Sequence, residues 1–88
     1  MARSSMIRLT LLALRRGDHE EAADQLDQYS LLLLPEEGRI FQELAVALTS
    51  PDARFSFLDR CREVLSSEAP AILDRVQNLI EAVEGSAE

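Results

Sequence analysis

The chain has 88 residues, with nine arginines, no lysine and sixteen acids, for a formal net charge of −7. That length makes one domain with a small core, and 47% hydrophobic residues exclude a disordered chain. The acidic balance argues against nucleic-acid binding led by phosphate contacts. No apolar run exceeds five residues, far short of the roughly 20 that a membrane-spanning helix needs.

Cys61 is the only cysteine, so no intramolecular disulfide can form and a reducing, cytoplasmic setting is expected. It falls on a predicted buried stripe, which predicts a packed thiol. The abundance of Ala, Leu, Glu, Arg and Gln favours helix. The three glycines and three prolines fall near predicted helix ends, and nothing alternates as a strand does. The expected fold class is all-α: five short antiparallel helices, two hairpins plus a C-terminal amphipathic helix.

The charge is unevenly spread. Residues 1–16 hold four arginines and no acid, and residues 17–88 hold five arginines against sixteen acids. An Arg- and Ser-rich, acid-free start has the composition of a mitochondrial presequence. A secretory signal fits worse, because the apolar core is short, Arg15-Arg16 follows it, and no small-residue cleavage site appears. The adopted reading is an integral first helix over 6–16, with Ser4 or Ser5 as its cap. Met6, Ile7, Leu9, Leu11, Leu12, Ala13 and Leu14 cover nearly its whole circumference. Such a helix must be buried on several sides, which predicts a partner. Gly17 suits the left-handed position that ends it.

Asp18 caps the second helix, and Glu21 three residues later gives the capping-box spacing. Glu20 and Glu21 also suit the positive end of the helix dipole. Ala22, Ala23, Leu26, Tyr29 and Leu33 form one face, and residues 31–34 add apolar surface on more than one side. Pro35 breaks the chain. A third helix over 36–48 starts at Pro35-Glu36-Glu37, with Gly38 weakening its first turn and Ile40, Phe41, Leu44, Ala45 and Leu48 inside. A fourth, over 51–66, has Ser50 as cap and Pro51 in its first position. Phe55, Leu58, Cys61, the stem of Arg62 and Leu65 are predicted to face inward, with Phe57 and Val64 on a neighbouring face. The fifth covers 68–84, capped by Ser66 or Ser67, with Pro70 in its first turn. Its stripe of Ile72, Leu73, Val76, Leu79, Ile80 and Val83 suits either the domain's own core or a seam for another chain. Gly85 stops it, and 86–88 are expected to fray.

Leu9, Leu12 and Ala13, then Gly17-Asp18, then Glu21-Ala22, Leu26 and Tyr29, closed by Pro35, together resemble a tetratricopeptide helical hairpin. The match covers residues 6–35. The proline arrives one residue late, Met6 replaces the early aromatic, and Tyr29 replaces a small residue late in the second helix. A second unit shifted by 34 residues starts near Ser50, but Arg54 stands where alanine is expected. The resemblance implies binding of peptides or helices, with no chemistry of its own. Repeats of this kind need neighbours to bury their faces, which again predicts another chain. The apolar helix followed by His19-Glu20-Glu21-Ala22 also resembles the needle-subunit chaperones of type III secretion. That likeness implies wrapping of an amphipathic helix, often as a heterodimer.

No catalytic constellation is readable. His19 is the only histidine and sits in a turn; with Cys61 it lacks two further ligands for zinc. No Ser/His/Asp arrangement is readable, because any serine would have to recruit His19, and no glycine-rich phosphate loop exists. The adjacent pairs Glu20/Glu21 and Glu36/Glu37 do not converge on a helix. A helical mutase would need an internal arginine cluster such as Arg8, Arg15 and Arg62, but lysine is absent and an acidic body repels a dianion. No catalytic, metal or cofactor site is therefore expected, and the chain reads as a non-enzyme.

The expected function is a small acidic protein-binding module, a chaperone or adaptor. It would hold an amphipathic helix of a partner in a concave apolar surface of the first two helices, helped by the third and fourth. The expected contact residues are Leu9, Leu12, Leu26, Tyr29, Leu33, Phe41 and Phe57. Flanking acids would select a basic or amphipathic ligand. The alternative is a homodimeric assembly subunit paired through its fifth or first helix.

Overall fold

Each break in the chain has a local cause. The computed structural model describes residues 2–66 and 70–85. The first helix, α1 (Ala2–Arg16), ends at Gly17, whose φ is +77°. There the Gly17 N–H donates to the Leu14 carbonyl (3.1 Å) and the Asp18 N–H to the Ala13 carbonyl (2.9 Å). This crossed pair satisfies carbonyls that the helix end would leave bare, and it needs a left-handed residue. The helix begins before the expected start at residue 6. Ser4 and Ser5 therefore lie inside it, beyond the capping position; serine prefers a cap but does not forbid helix.

In α2 (His19–Ser30) an Asp18 carboxylate oxygen accepts from the Glu21 N–H at 3.1 Å. The reciprocal half of the capping box is not made, because the Glu21 carboxylate instead accepts from Gln25 Nε2 at 2.9 Å. Pro35 opens α3 (Pro35–Ala47), with Leu34 extended before it. Gly38 lies under the end of α2: a Cβ there would sit 2.7 Å from the Ser30 carbonyl oxygen. The glycine that reads as a weak helix start is a packing gap between two helices.

The expected caps of the last two helices are displaced. Ser50 Oγ donates back to the Ala47 carbonyl (2.9 Å), closing α3, so α4 (Ala53–Leu65) starts two residues later than expected. Pro51 and Asp52 form the turn before it. Ser66 Oγ donates to the Glu63 carbonyl (2.9 Å) and closes α4 in the same way. The other expected cap, Ser67, lies outside the described residues, as does the 86–88 tail. A 3-10 turn at Pro70–Ile72 leads into α5 (Leu73–Glu84).

Each helix packs on its neighbours in sequence, and α5 returns to pack on α1, closing a ring of five. The fold is all-helical, with no strand among the described residues. No helix of the described residues is long and apolar enough to cross a membrane. Inside the ring lie Leu14, Leu26, Phe41, Leu44, Phe57, Cys61, Ile72, Val76, Leu79 and Val83, all essentially without solvent contact. Closure uses up the α5 stripe: Ile72, Val76, Leu79, Ile80 and Val83 are buried in this chain's own core. The stripe that might have served as a seam for another chain is thus already occupied.

The fourth helix is rotated from its expected phase. Phe57, Leu58, Cys61 and Val64 are buried, whereas Phe55 is 71% exposed and Arg62 lies at the surface. Ala53, Phe57, Cys61 and Val64 make an unbroken apolar line at helical spacing. The alternative line through Phe55, Leu58 and Leu65 would have required burying the Arg62 charge.

Arginines tie the ring from outside. Arg75 donates to the Tyr29 hydroxyl (2.9 Å) and lies 5.9 Å from the centre of the Phe41 ring, against which Tyr29 packs edge-on. Arg54 donates to the Val83 carbonyl at 2.7 Å, adding a side-chain donor at the C-terminal end of α5.

Candidate partner-binding groove

The seven residues predicted to contact a partner divide into three groups. Leu26, Tyr29, Phe41 and Phe57 are buried inside the ring, so in this packing they are core and form no contact surface. Helical spacing marks a face as apolar without saying what covers it, and here α5 closing onto α1 lets the domain's own side chains fill the space. Leu33 is half-buried against the core. Only Leu9 (46%) and Leu12 (43%) are substantially exposed, on the outer face of α1. The opposite face of α1 is covered. Thr10, Ala13 and Leu14 are buried, and the Thr10 hydroxyl is satisfied by donating to the Met6 carbonyl at 2.8 Å.

A different surface has the shape of a binding site. Between α2 and α3 runs an open groove of about 350 Å³ with Ala23, Ala45, Val46 and Thr49 on its floor. Val46 also borders a second hollow, shared with Ala47 and Phe55, where α3 meets α4. Phe55 in turn borders a third, with Pro51, Leu58 and His19. The three join through two large apolar side chains in water: Val46 at 68% exposure and Phe55 at 71%.

The α2 wall of this groove carries Glu20, Asp24 and Asp27. Their spacing of i, i+4, i+7 puts all three on one stripe of the helix. None has a side-chain hydrogen bond or ion pair among the described residues. Three carboxylates beside an apolar floor create a negative field along an open groove. Among the described residues, no three His, Cys, Asp or Glu side chains come together as a metal ion would require. The stripe is an extended line of charge.

Other candidate groups have plain surroundings. Cys61 is fully buried, and burial pushes its thiol up to about 12 against the opposing charge of Arg62. A thiol so protonated is a poor nucleophile at neutral pH. Arg8, Arg15 and Arg62 are all at the surface, and Arg62 pairs with Glu84 at 2.8 Å. They form no internal anion pocket.

Sequence reasoning missed Val46 and the outward Phe55. Val46 is adjacent to the inward Ala45, so helical phase turns it off the core face, but only the packing of α2, α3 and α4 leaves it uncovered. The acid stripe was readable from spacing, but its place beside an apolar floor depends on how α2 and α3 pack. Comparison with family models, with curated proteins and with solved structures found no match.

Proposed function

We propose that this chain is a small protein-binding module, a chaperone or adaptor without catalysis, that holds a basic amphipathic helix of a partner in the α2–α3–α4 groove. The observation that carries this reading is the pairing of exposed Val46 and Phe55 with the unpaired carboxylates of Glu20, Asp24 and Asp27. An amphipathic helix would bury its apolar anchors on Val46 and Phe55. Its lysines or arginines at three- and four-residue spacing would meet the carboxylates, which steer the encounter and set orientation. This is the mode of action that the resemblance to needle-subunit chaperones implies. The reading places the chain in a reducing cytoplasm, where its single thiol stays reduced.

The test is binding of a fluorescent Leu/Lys amphipathic peptide, followed by anisotropy. Val46→Asp should weaken binding at least about tenfold, because it puts a charge on the apolar floor. Asp24→Lys should slow association and flatten its salt dependence. Both positions are exposed, so thermal unfolding should barely change. If the peptide fails to bind at low salt, or binds equally with its charges reversed to glutamate, the reading is wrong.

A further inference from the structure

We infer that the same groove also takes the outer face of α1 from a second copy of this chain, so that free molecules associate head to tail and a partner helix displaces them. The inference rests on the reading that the groove accepts a basic amphipathic helix. The exposed arc of α1 is such a helix face: Ser5, Arg8, Leu9, Leu12, Arg15 and Arg16 all point to solvent. Unlike the other four helices, α1 carries no acid. Arg8 and Arg15 have no ion-pair partner among the described residues, and Arg16 makes only a loose, exposed contact with Asp18 at 3.6 Å.

The two surfaces match in spacing as well as sign. Arg8 and Arg15 are seven residues apart, as are Glu20 and Asp27. At 1.5 Å per residue both pairs span about 10.5 Å along their helix axes. Leu9 and Leu12 share the exposed arc with these arginines and are the apolar side chains that α1 offers to Val46. The other faces of α1 pack on α2 and α5 of its own chain, so α1 cannot lie in its own groove. The contact therefore joins two different surfaces of two copies. Such a contact builds a ring if its rotation closes and an open chain if it does not.

The experiment is sedimentation or light scattering of the full chain over a dilution series, at low and high salt. Wild type should grow in mass with concentration at low salt and dissociate as salt screens the pairs. The variants R8E/R15E and E20R/D27R should each associate at least about tenfold more weakly. All four positions are exposed, so both variants should fold, with Tm lowered only by the reversed helix-end charges at Arg15 and Glu20. The two variants mixed, or all four substitutions in one chain, should restore association, because each reversed α1 then meets a reversed groove. Wild type remaining monomeric throughout, or association that survives both reversals, or no restoration on mixing, overturns the inference. The R8E/R15E variant keeps its groove, so the Leu/Lys peptide is titrated onto it in parallel. Binding there beside a monomeric wild type removes the self-association alone. Restored association without peptide binding removes the partner-protein reading instead.

Discussion

Gly38→Ala separates helix propensity from packing at one atom. Alanine is normally favoured over glycine inside a helix by about 1 kcal/mol. Gly38 has no positive φ, so the new side chain meets no backbone strain. Propensity alone therefore predicts a more stable protein. The packing predicts the reverse: the added Cβ would lie 2.7 Å from the Ser30 carbonyl oxygen, about 0.7 Å inside ordinary contact. The obstructing atom is backbone, and α2 and α3 are joined there by a short turn, so the helices must move apart. Overpacking of this kind costs about 1–3 kcal/mol. Net of the propensity gain, the variant should lose about 1 kcal/mol, and its Tm should fall by about 4–8 °C for a domain of this size. Far-UV circular dichroism during heating and in urea measures both. Gly17→Ala is the control. Its Cβ would meet nothing within 4 Å, yet φ is +77°, so it should lose about 1–2 kcal/mol from conformation alone. A Gly38→Ala protein that melts higher than wild type would refute the close approach of α2 to α3.

Two further predictions concern the core. Phe57→Ala should destabilise by about 3–5 kcal/mol and Phe55→Ala by less than about 0.5 kcal/mol; urea titrations giving the reverse order would contradict the rotation of α4. The Cys61 thiol is held near 12 in the fold against an ordinary 9.0, so the unfolded chain ionises first as pH rises. Its contribution to stability is whole below about pH 9 and declines between about 9 and about 12, by up to about 1.4 kcal/mol per pH unit. Cys61→Ala should therefore lose less stability than wild type between about pH 8 and about pH 10. Equal losses in the two proteins would show that the thiol is not held protonated.

Local chemistry was legible in the sequence wherever a residue acts through its own backbone. Gly17, Asp18 and Pro35 mark their turns because each meets a need of its own segment: a left-handed residue, an acceptor for a bare N–H, a missing donor. Ser50 and Ser66 were misassigned because a serine between two helices can satisfy either one. Both close the preceding helix by bonding a carbonyl three residues back. Gly38 was misjudged for a related reason, since its role is set by Ser30 in another helix.

The candidate site was less legible than the fold. Leu26, Tyr29 and Phe41 lie on the apolar stripes of their helices and Phe57 lies beside one, and all four are committed to the core. Arg54, Arg62 and Arg75 hold partners at separations of 29, 22 and 46 residues, which no local pattern displays.

By itself the sequence determined the helical class and the approximate helix positions, because helix formation and capping depend on residues within about one turn of each other. Only the tertiary structure decided which apolar faces stay in water. Packing α5 onto α1 closed the core over the expected binding residues, and the rotation of α4 sent Phe55 outward while α3 left Val46 exposed beside the acids. Burial is a property of what lies across a contact, and in this chain the residues that cover one another are far apart in sequence.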